Sequence, residues 1–325
     1  MQERGSMFQL SEEIRGARTI GIGGHIRPDG DCVGSCMALY LYLKKCVGAD
    51  TEVSVYLEQP ADIFDTIAGV SEIRQAEEGQ TPSDVFFALD CEDSRLGAAR
   101  RLFAGAGKKI NIDHHISNQG CGSVNYIDPK ASSTSEMVYR LLDPEQMDEE
   151  IAKAVYIGII HDTGVFQYSN TSPETLRIAA TLIGYGFDFS TLIEKTFYEK
   201  TYVQNQIMGR ALLESILFLH GRCIVSAVDR KLMEFYHAGP QDLDGIASLL
   251  RNTRDVECAI FMYETDVMEY KVSMRSTDKV DVARIASYFG GGGHKKAAGC
   301  TMAGTFHDVV NNLSLHIEKQ LHEEE

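Results

Sequence analysis

The segment Asn111-Ile112-Asp113-His114-His115-Ile116-Ser117-Asn118 sets two adjacent histidines behind an aspartate at the end of a short β-type run. Two neighbouring polar rings at a strand end would each need a partner if buried, so a chemical role explains them better than packing. Three other segments carry the same residue types. They are His25-Ile26-Arg27-Pro28-Asp29-Gly30-Asp31-Cys32-Val33-Gly34-Ser35, the hydrophobic run that ends in Asp90, and the run that ends in His161-Asp162-Thr163-Gly164. Carboxylates and imidazoles at four expected strand ends suit two divalent ions that activate water and clamp a phosphoryl oxygen. Imidazole ligands argue against a pure magnesium site, and the lack of a close cysteine pair argues against structural zinc, which leaves manganese as the leading cofactor.

Each segment also has a plainer reading. Pro28-Asp29-Gly30-Asp31 could be a turn in which Asp31 caps the helix that follows. Asp90 could likewise cap a helix, while Glu92 and Asp93 read as solvated residues. His161, beside the stronger Asp162, reads as a hydrogen-bonded or core histidine. Ser132-Ser133-Thr134-Ser135-Glu136 reads as a helix start that could also help organise the site. In the triplet, one histidine would ligate a metal and the other face the substrate, with Asp113 orienting an imidazole. Nearer the end of the chain, Gly290-Gly291-Gly292-Gly293-His294 precedes two lysines, and Arg275 ends a strand-like run. A glycine run lets backbone N–H groups approach a phosphate, and a guanidinium can grip one through two bonds. Gly291, Gly292, Gly293, His294 and Arg275 are therefore expected to bind substrate.

The elements that must position these residues alternate. Strand-like runs at 19–23, 53–57, 85–89, 109–112 and 155–160 are separated by amphipathic stretches, which predicts a parallel sheet covered by helices with ligands beyond the strand ends. The run at 155–160 could equally close a helix. Residues 189–219 read as one long connecting helix whose apolar face could serve a homodimer. Beyond it, strands at 223–228, 256–263 and 270–275 and helices at 242–250, 282–289 and 306–321 predict a smaller mixed α/β domain. The expected division is 1–188, a linker at 189–208, and 209–325.

At 325 residues with 44% hydrophobic composition, two cores are expected. The formal net charge of −16, from 47 acidic and 31 basic residues, excludes a broad cationic surface for tracking long nucleic acid. A polyanionic partner must then be short, such as an oligonucleotide or a small phosphorylated nucleotide. No apolar run approaches membrane-spanning length, Met1–Ser6 lacks the hydrophobic segment of a secretory signal, and the eight cysteines show no C-x-x-C pair. A cytoplasmic protein with reduced thiols is expected, with Cys32 a small packed residue and Glu323-Glu324-Glu325 a solvated tail.

Taken together, His25-x-x-x-Asp29-x-Asp31, Asp90, Asp113-His114-His115 and Asp162, followed by Arg275 and the glycine run, resemble the DHH phosphoesterase superfamily with its DHH-associated C-terminal domain. The motifs occur in the family's order and span nearly the whole chain. The resemblance implies that His25, Asp29 and Asp90 hold one manganese and that Asp31, Asp90, His114 and Asp162 hold the other. His115 would face the phosphate. It also implies the branch that degrades very short RNAs and dephosphorylates 3′-phosphoadenosine 5′-phosphate (pAp), although cyclic-dinucleotide phosphodiesterases share the motif set. Pyrophosphate hydrolysis and a non-catalytic nucleotide-binding regulator are the more distant readings.

Overall fold

In the computed structural model, residues 9–323 are described; Met1–Ser6 and Glu324-Glu325 lie outside them. The chain divides into two units at Glu199/Lys200. After the short helix α1 (Leu10–Glu13), the first unit builds a five-stranded parallel sheet from β1 (Thr19–Gly23), β2 (Glu52–Tyr56), β3 (Val85–Leu89), β4 (Lys108–Asp113) and β5 (Val124–Ile127). Its spatial order is β2-β1-β3-β4-β5, so the winding reverses between β1 and β3. A doubly wound sheet opens a crevice beyond the carboxyl ends of the two strands that flank such a reversal. His25 and Asp90 lie just past those two ends.

The sheet is covered by α2 (Gly30–Cys46), α3 (Arg100–Gly105) and α4 (Thr134–Tyr139), while α5 (Glu149–Asp162) packs on α2 and α4, and α6 (Pro173–Ile183) packs on α5. Residues 155–160, expected as a strand, lie inside α5. Val155, Tyr156, Ile157, Ile159 and Ile160 are all buried, and a helix buried all round loses the periodicity that distinguishes it from a central strand. The fifth strand is instead Val124-Asn125-Tyr126-Ile127, a half-exposed edge strand whose four residues give little apolar signal. Helix α5 packs along α2, and Gly158 sits at the crossing, where a Cβ would collide with Ser135 and lie 2.9 Å from Asp31 Oδ1. That close approach brings the first turn of α2 against the site.

The single helix expected over 189–219 is broken. Helix α7 (Phe189–Ile193) runs into one π turn at Glu194–Tyr198, the chain extends at Glu199, and α8 (Tyr202–Leu213) starts afresh. The restart is fixed by a capping box: Thr201 Oγ1 accepts from Gln204 N at 3.1 Å, and Thr201 N donates to Gln204 Oε1 at 2.9 Å.

The second unit is a six-stranded mixed sheet. It comprises β6 (Ile216–Phe218), β7 (Cys223–Val228), β8 (Cys258–Asp266), β9 (Glu269–Ser276), β10 (Gly292–His294) and β11 (Ala297–Ala303) in the order β10-β11-β9-β8-β7-β6. Helix α9 (Arg230–Tyr236) follows β7, and the helix expected at 242–250 divides into a 3₁₀ turn, Pro240–Leu243, and α10 (Ile246–Arg251). Helices α11 (Val282–Tyr288) and α12 (Phe306–Glu323) complete the unit. Alternation along β7 sends Cys223 and Val225 into a core shared with α11 and α12, and Ile224 and Val228 into one shared with α8 and α10.

Candidate metal centre

The first motif is a strand end, a turn and a helix start. His25 is buried, and its Nδ1 lies 2.9 Å from the Ile26 carbonyl, which can only accept; the proton therefore sits on Nδ1 and the Nε2 lone pair is left facing the crevice. Helix α2 is capped by Asp29, not Asp31: the Asp29 carboxylate accepts from Asp31 N and Cys32 N, both at 3.1 Å. Asp31 is thereby released to point inward from the first turn. There its two oxygens accept from Thr134 N at 2.7 Å and Ser135 N at 2.9 Å, at the start of α4. The serine-rich segment is thus both a helix start and a support for the site.

Asp90 occupies the left-handed region with φ of 58°, an uncommon conformation for a residue with a side chain. Its N–H donates to Ile112 O at 3.0 Å, and its Oδ1 accepts from Thr134 Oγ1 at 3.0 Å. The two oxygens look in different directions: Oδ2 lies 3.4 Å from His25 Nε2, while Oδ1 lies 3.7 Å from His114 Nε2 and 3.5 Å from His115 Nδ1. Asp29 Oδ1 approaches His25 Nε2 to 3.6 Å. On the other side, His114 Nε2 is 3.4 Å from Asp162 Oδ2 and 3.9 Å from Asp31 Oδ2.

The two histidines of the triplet differ. His115 Nδ1 is 2.7 Å from Asp113 Oδ1, which also accepts from His115 N at 3.0 Å. Asp113 therefore orients His115 and leaves His114 to the carboxylates. The hydrogen bond to Asp113 raises the His115 pKa, and Asp113 is held below its ordinary range by His115 against the opposing effect of burial.

Asp162 ends helix α5, not a strand, and its pKa is pushed up to about 6 by burial and Asp90, with His114 opposing. Burial and the charges of Asp90 and Asp162 push Asp31 well above its usual range. Asp31 and Asp162, two carboxylates that resist ionisation, the second at the negative end of a helix dipole, belong to a site that a divalent cation would relieve.

The donor chemistry fits such ions. Donors that share an ion at about 2.1 Å stand roughly 3–3.5 Å apart, longer than hydrogen bonds and close to the separations seen around His25 and His114. His25, Asp29 and Asp90 gather on one side; Asp31, Asp90, His114 and Asp162 gather on the other.

In the second unit, the glycine run is part of a hairpin and not a free loop. Gly292–His294 forms β10, and a Cβ on Gly291 would collide with the Gly299 main chain. Arg275 of β9 pairs with Ala297 of β11, and Ala297 pairs with His294 of β10. Directly opposed residues share a face, so Arg275 and His294 leave the sheet on one side, about 10 Å apart across the strand that carries Ala297.

Residues 19–159 match the N-terminal domain of the DHH family, and residues 221–323 match the DHHA1 domain. The bifunctional oligoribonuclease and PAP phosphatase NrnA of Thermus thermophilus is 34% identical over 289 residues, covering 88% of this chain and 84% of that protein. The chain belongs to the DHH family. The Bacillus subtilis protein of the same description is 26% identical over 290 residues, covering 87% of this chain and 89% of its own length. The crystal structure of an exopolyphosphatase-related protein from Bacteroides fragilis shares the fold at a TM-score of 0.89 and 26% identity, with 97% and 96% of the two chains covered. RecJ of Thermus thermophilus in complex with Mn2+ shares the fold more distantly, at a TM-score of 0.55 and 14% identity, covering 97% of this chain and 53% of RecJ. As a DHH-family member with NrnA relatives, this chain is a hydrolase acting on phosphoester bonds.

Three asparagines that apolar patterning of the sequence does not single out brace the site, two of them beside the DHH triplet and the third, Asn170, beside Asp162. Asn111 Nδ2 donates to Ala88 O at 3.1 Å and Cys91 O at 2.9 Å, holding the backbone on both sides of Asp90. Asn118 donates to Asp113 and to Asn111 Oδ1, the latter at 3.0 Å, and Asn170 donates to Ser132 O at 2.8 Å and Asp162 O at 3.1 Å. Asn111 stands two residues before Asp113 and Asn118 three residues after His115, a spacing that draws attention to both.

Proposed function

We propose that this chain is a manganese-dependent phosphoesterase that hydrolyses very short oligoribonucleotides and pAp in the cytoplasm. The observation that carries this reading is the placement of Asp90, with one oxygen toward His25 and the other toward His114. A carboxylate so placed suits a bridge between two ions, one held by His25, Asp29 and Asp90 and the other by Asp31, Asp90, His114 and Asp162. When bound, such a pair supplies Lewis acidity and an activated water for in-line displacement at phosphorus.

The protein's own contributions follow from the geometry. Asp113 fixes the tautomer and direction of His115, which presents its remaining ring nitrogen to the scissile phosphate. Thr134 and Ser135 hold Asp90 and Asp31 in place through main-chain and hydroxyl donors. Arg275 and His294, with Gly291, Gly292 and Gly293, form a phosphate-binding edge on the second sheet. NrnA relatives that cover most of this chain support the substrate class, and the net charge of −16 supports short substrates over long ones.

The test is hydrolysis of pAp, linear dinucleotides, cyclic dinucleotides and pyrophosphate, each with Mn2+ and with chelator. Turnover of pAp and linear dinucleotides that requires Mn2+ is expected. Turnover confined to cyclic dinucleotides or to pyrophosphate would replace this assignment.

A further inference from the structure

Cys32 is the second residue after the Gly30 start of α2 and has no exposed surface. The donor atoms of His25, Cys32 and Asp90 all lie within 4.8 Å of one another. The thiol reaches this position because residue 24 is glycine: a Cβ there would collide with Cys32 Sγ and lie 3.3 Å from Cys36 Sγ. A larger residue at 24 would drive the sulfur away from the imidazole.

We propose that Cys32 is a conditional ligand: it coordinates a thiophilic ion such as Zn2+, Cd2+ or Co2+ together with His25 and Asp90, and leaves a hard ion such as Mn2+ to the nitrogen and oxygen donors. The proposal rests on the metal-dependent reading of this site and adds a sulfur donor to it. Soft and borderline ions favour thiolate, whereas Mn2+ is satisfied by carboxylate and imidazole. On binding, the Cys32 S–H bond breaks, a sulfur–metal bond forms and one proton passes to solvent. With Asp29 beside His25, the ion would then have four protein donors and no open position, the arrangement of a structural and not a catalytic centre. A thiophilic ion seated there is therefore inhibitory.

The metal-free full-length protein is titrated with Cd2+ or Mn2+, with bound metal counted by elemental analysis. Cadmium is expected to produce a sulfur-to-metal charge-transfer absorption and to release a proton, and manganese to produce no such band. Cys32→Ser should lose the band and weaken Cd2+ binding by at least about tenfold, the loss that even an outer partner of a metal site can cause. Cys36→Ser and Cys91→Ser should keep both. Cadmium NMR of the unsubstituted protein reads the sulfur ligand whether or not the variant folds. Bound cadmium with a resonance in the nitrogen and oxygen range, or a band that survives Cys32→Ser, overturns the proposal. Failure to bind either ion would instead overturn the metal-dependent reading.

Discussion

His25 Nε2 and Asp90 Oδ2 face each other at 3.4 Å across the gap between β1 and β3, where the strand order reverses. Neither residue has a neighbour in sequence that could bring them together; the parallel pairing of Ile20–Gly23 with Val85–Ala88 does so. Everything else at the site is arranged around this pair, and the first prediction concerns its carboxylate.

Asp90→Asn keeps the shape of the side chain and the acceptor for Thr134, and asparagine tolerates the left-handed backbone at this position. The variant should fold normally, lose bound metal and lose at least about 100-fold in kcat, the scale of removing one electrostatic stabiliser. Elemental analysis and steady-state kinetics test this together. A folded variant with near-normal metal content and rate would remove Asp90 from the bridging role.

The two histidines of the triplet should separate. His114 Nε2 is surrounded by Asp31, Asp90 and Asp162, whereas His115 Nδ1 is committed to Asp113. His114→Ala is expected to reduce metal content. His115→Ala should retain metal while kcat falls, and Asp113→Asn should follow it in direction because the ring loses its orientation. Loss of metal from His115→Ala would reassign that ring as a ligand.

Much of this site is legible in the sequence because polar residues at the ends of apolar runs have few other uses, and the residues named there converge in space. Two features escape for physical reasons. Asp162 reads as a strand end because α5 is apolar on every side, and only the depth of the layer around it reveals a helix. Asn111 escapes because its role is to bind the carbonyls of Ala88 and Cys91, partners more than a dozen residues away in sequence. The break after α7 leaves only one mark in the chain, the helix start Thr201-x-x-Gln204, because no proline or glycine accompanies the interruption.

Thr134 offers a test of the support beneath the metal centre. Its hydroxyl donates to Asp90 while its N–H donates to Asp31, so Thr134→Val removes the first bond and spares the second. A lost hydrogen bond to a buried charged group costs about 1.5–3 kcal/mol, and outer partners of metal ligands are worth about 10–100-fold in affinity. A weaker Mn2+ affinity, read by calorimetric titration, is expected alongside a lower melting temperature. Unchanged affinity would leave Thr134 a merely structural residue.

Metal removal should destabilise the first unit. Asp31 and Asp162 are both pushed toward the neutral form by burial and neighbouring carboxylates, so a cation that relieves them binds the folded state in preference to the unfolded one. At 100 times its dissociation constant, one bound ion adds about 2.7 kcal/mol. Thermal melts across a Mn2+ series should rise and be reversed by chelator. A melting temperature indifferent to Mn2+ up to millimolar concentration would count against a metal centre at this position.

The last prediction concerns length. An acidic chain with a net charge of −16 has little to hold the far end of a long strand, so affinity must come from terminal nucleotides. Arg275 and His294 share one face of the second sheet, with Ala297 of the intervening strand between them. Arg275→Ala should therefore raise KM or lower kcat for pAp and dinucleotides, with metal content unchanged and a small generic phosphodiester much less affected. Arg275→Lys restores charge but not the paired donors, and should recover only part of the loss. A series from two to about 24 nucleotides, run on the enzyme and on Arg275→Ala, decides the matter, because counterion release favours longer strands only where a cationic surface follows them. Efficient processive digestion of the longest RNA, or an Arg275 effect equal on every substrate, would show that the second sheet does not select short ends.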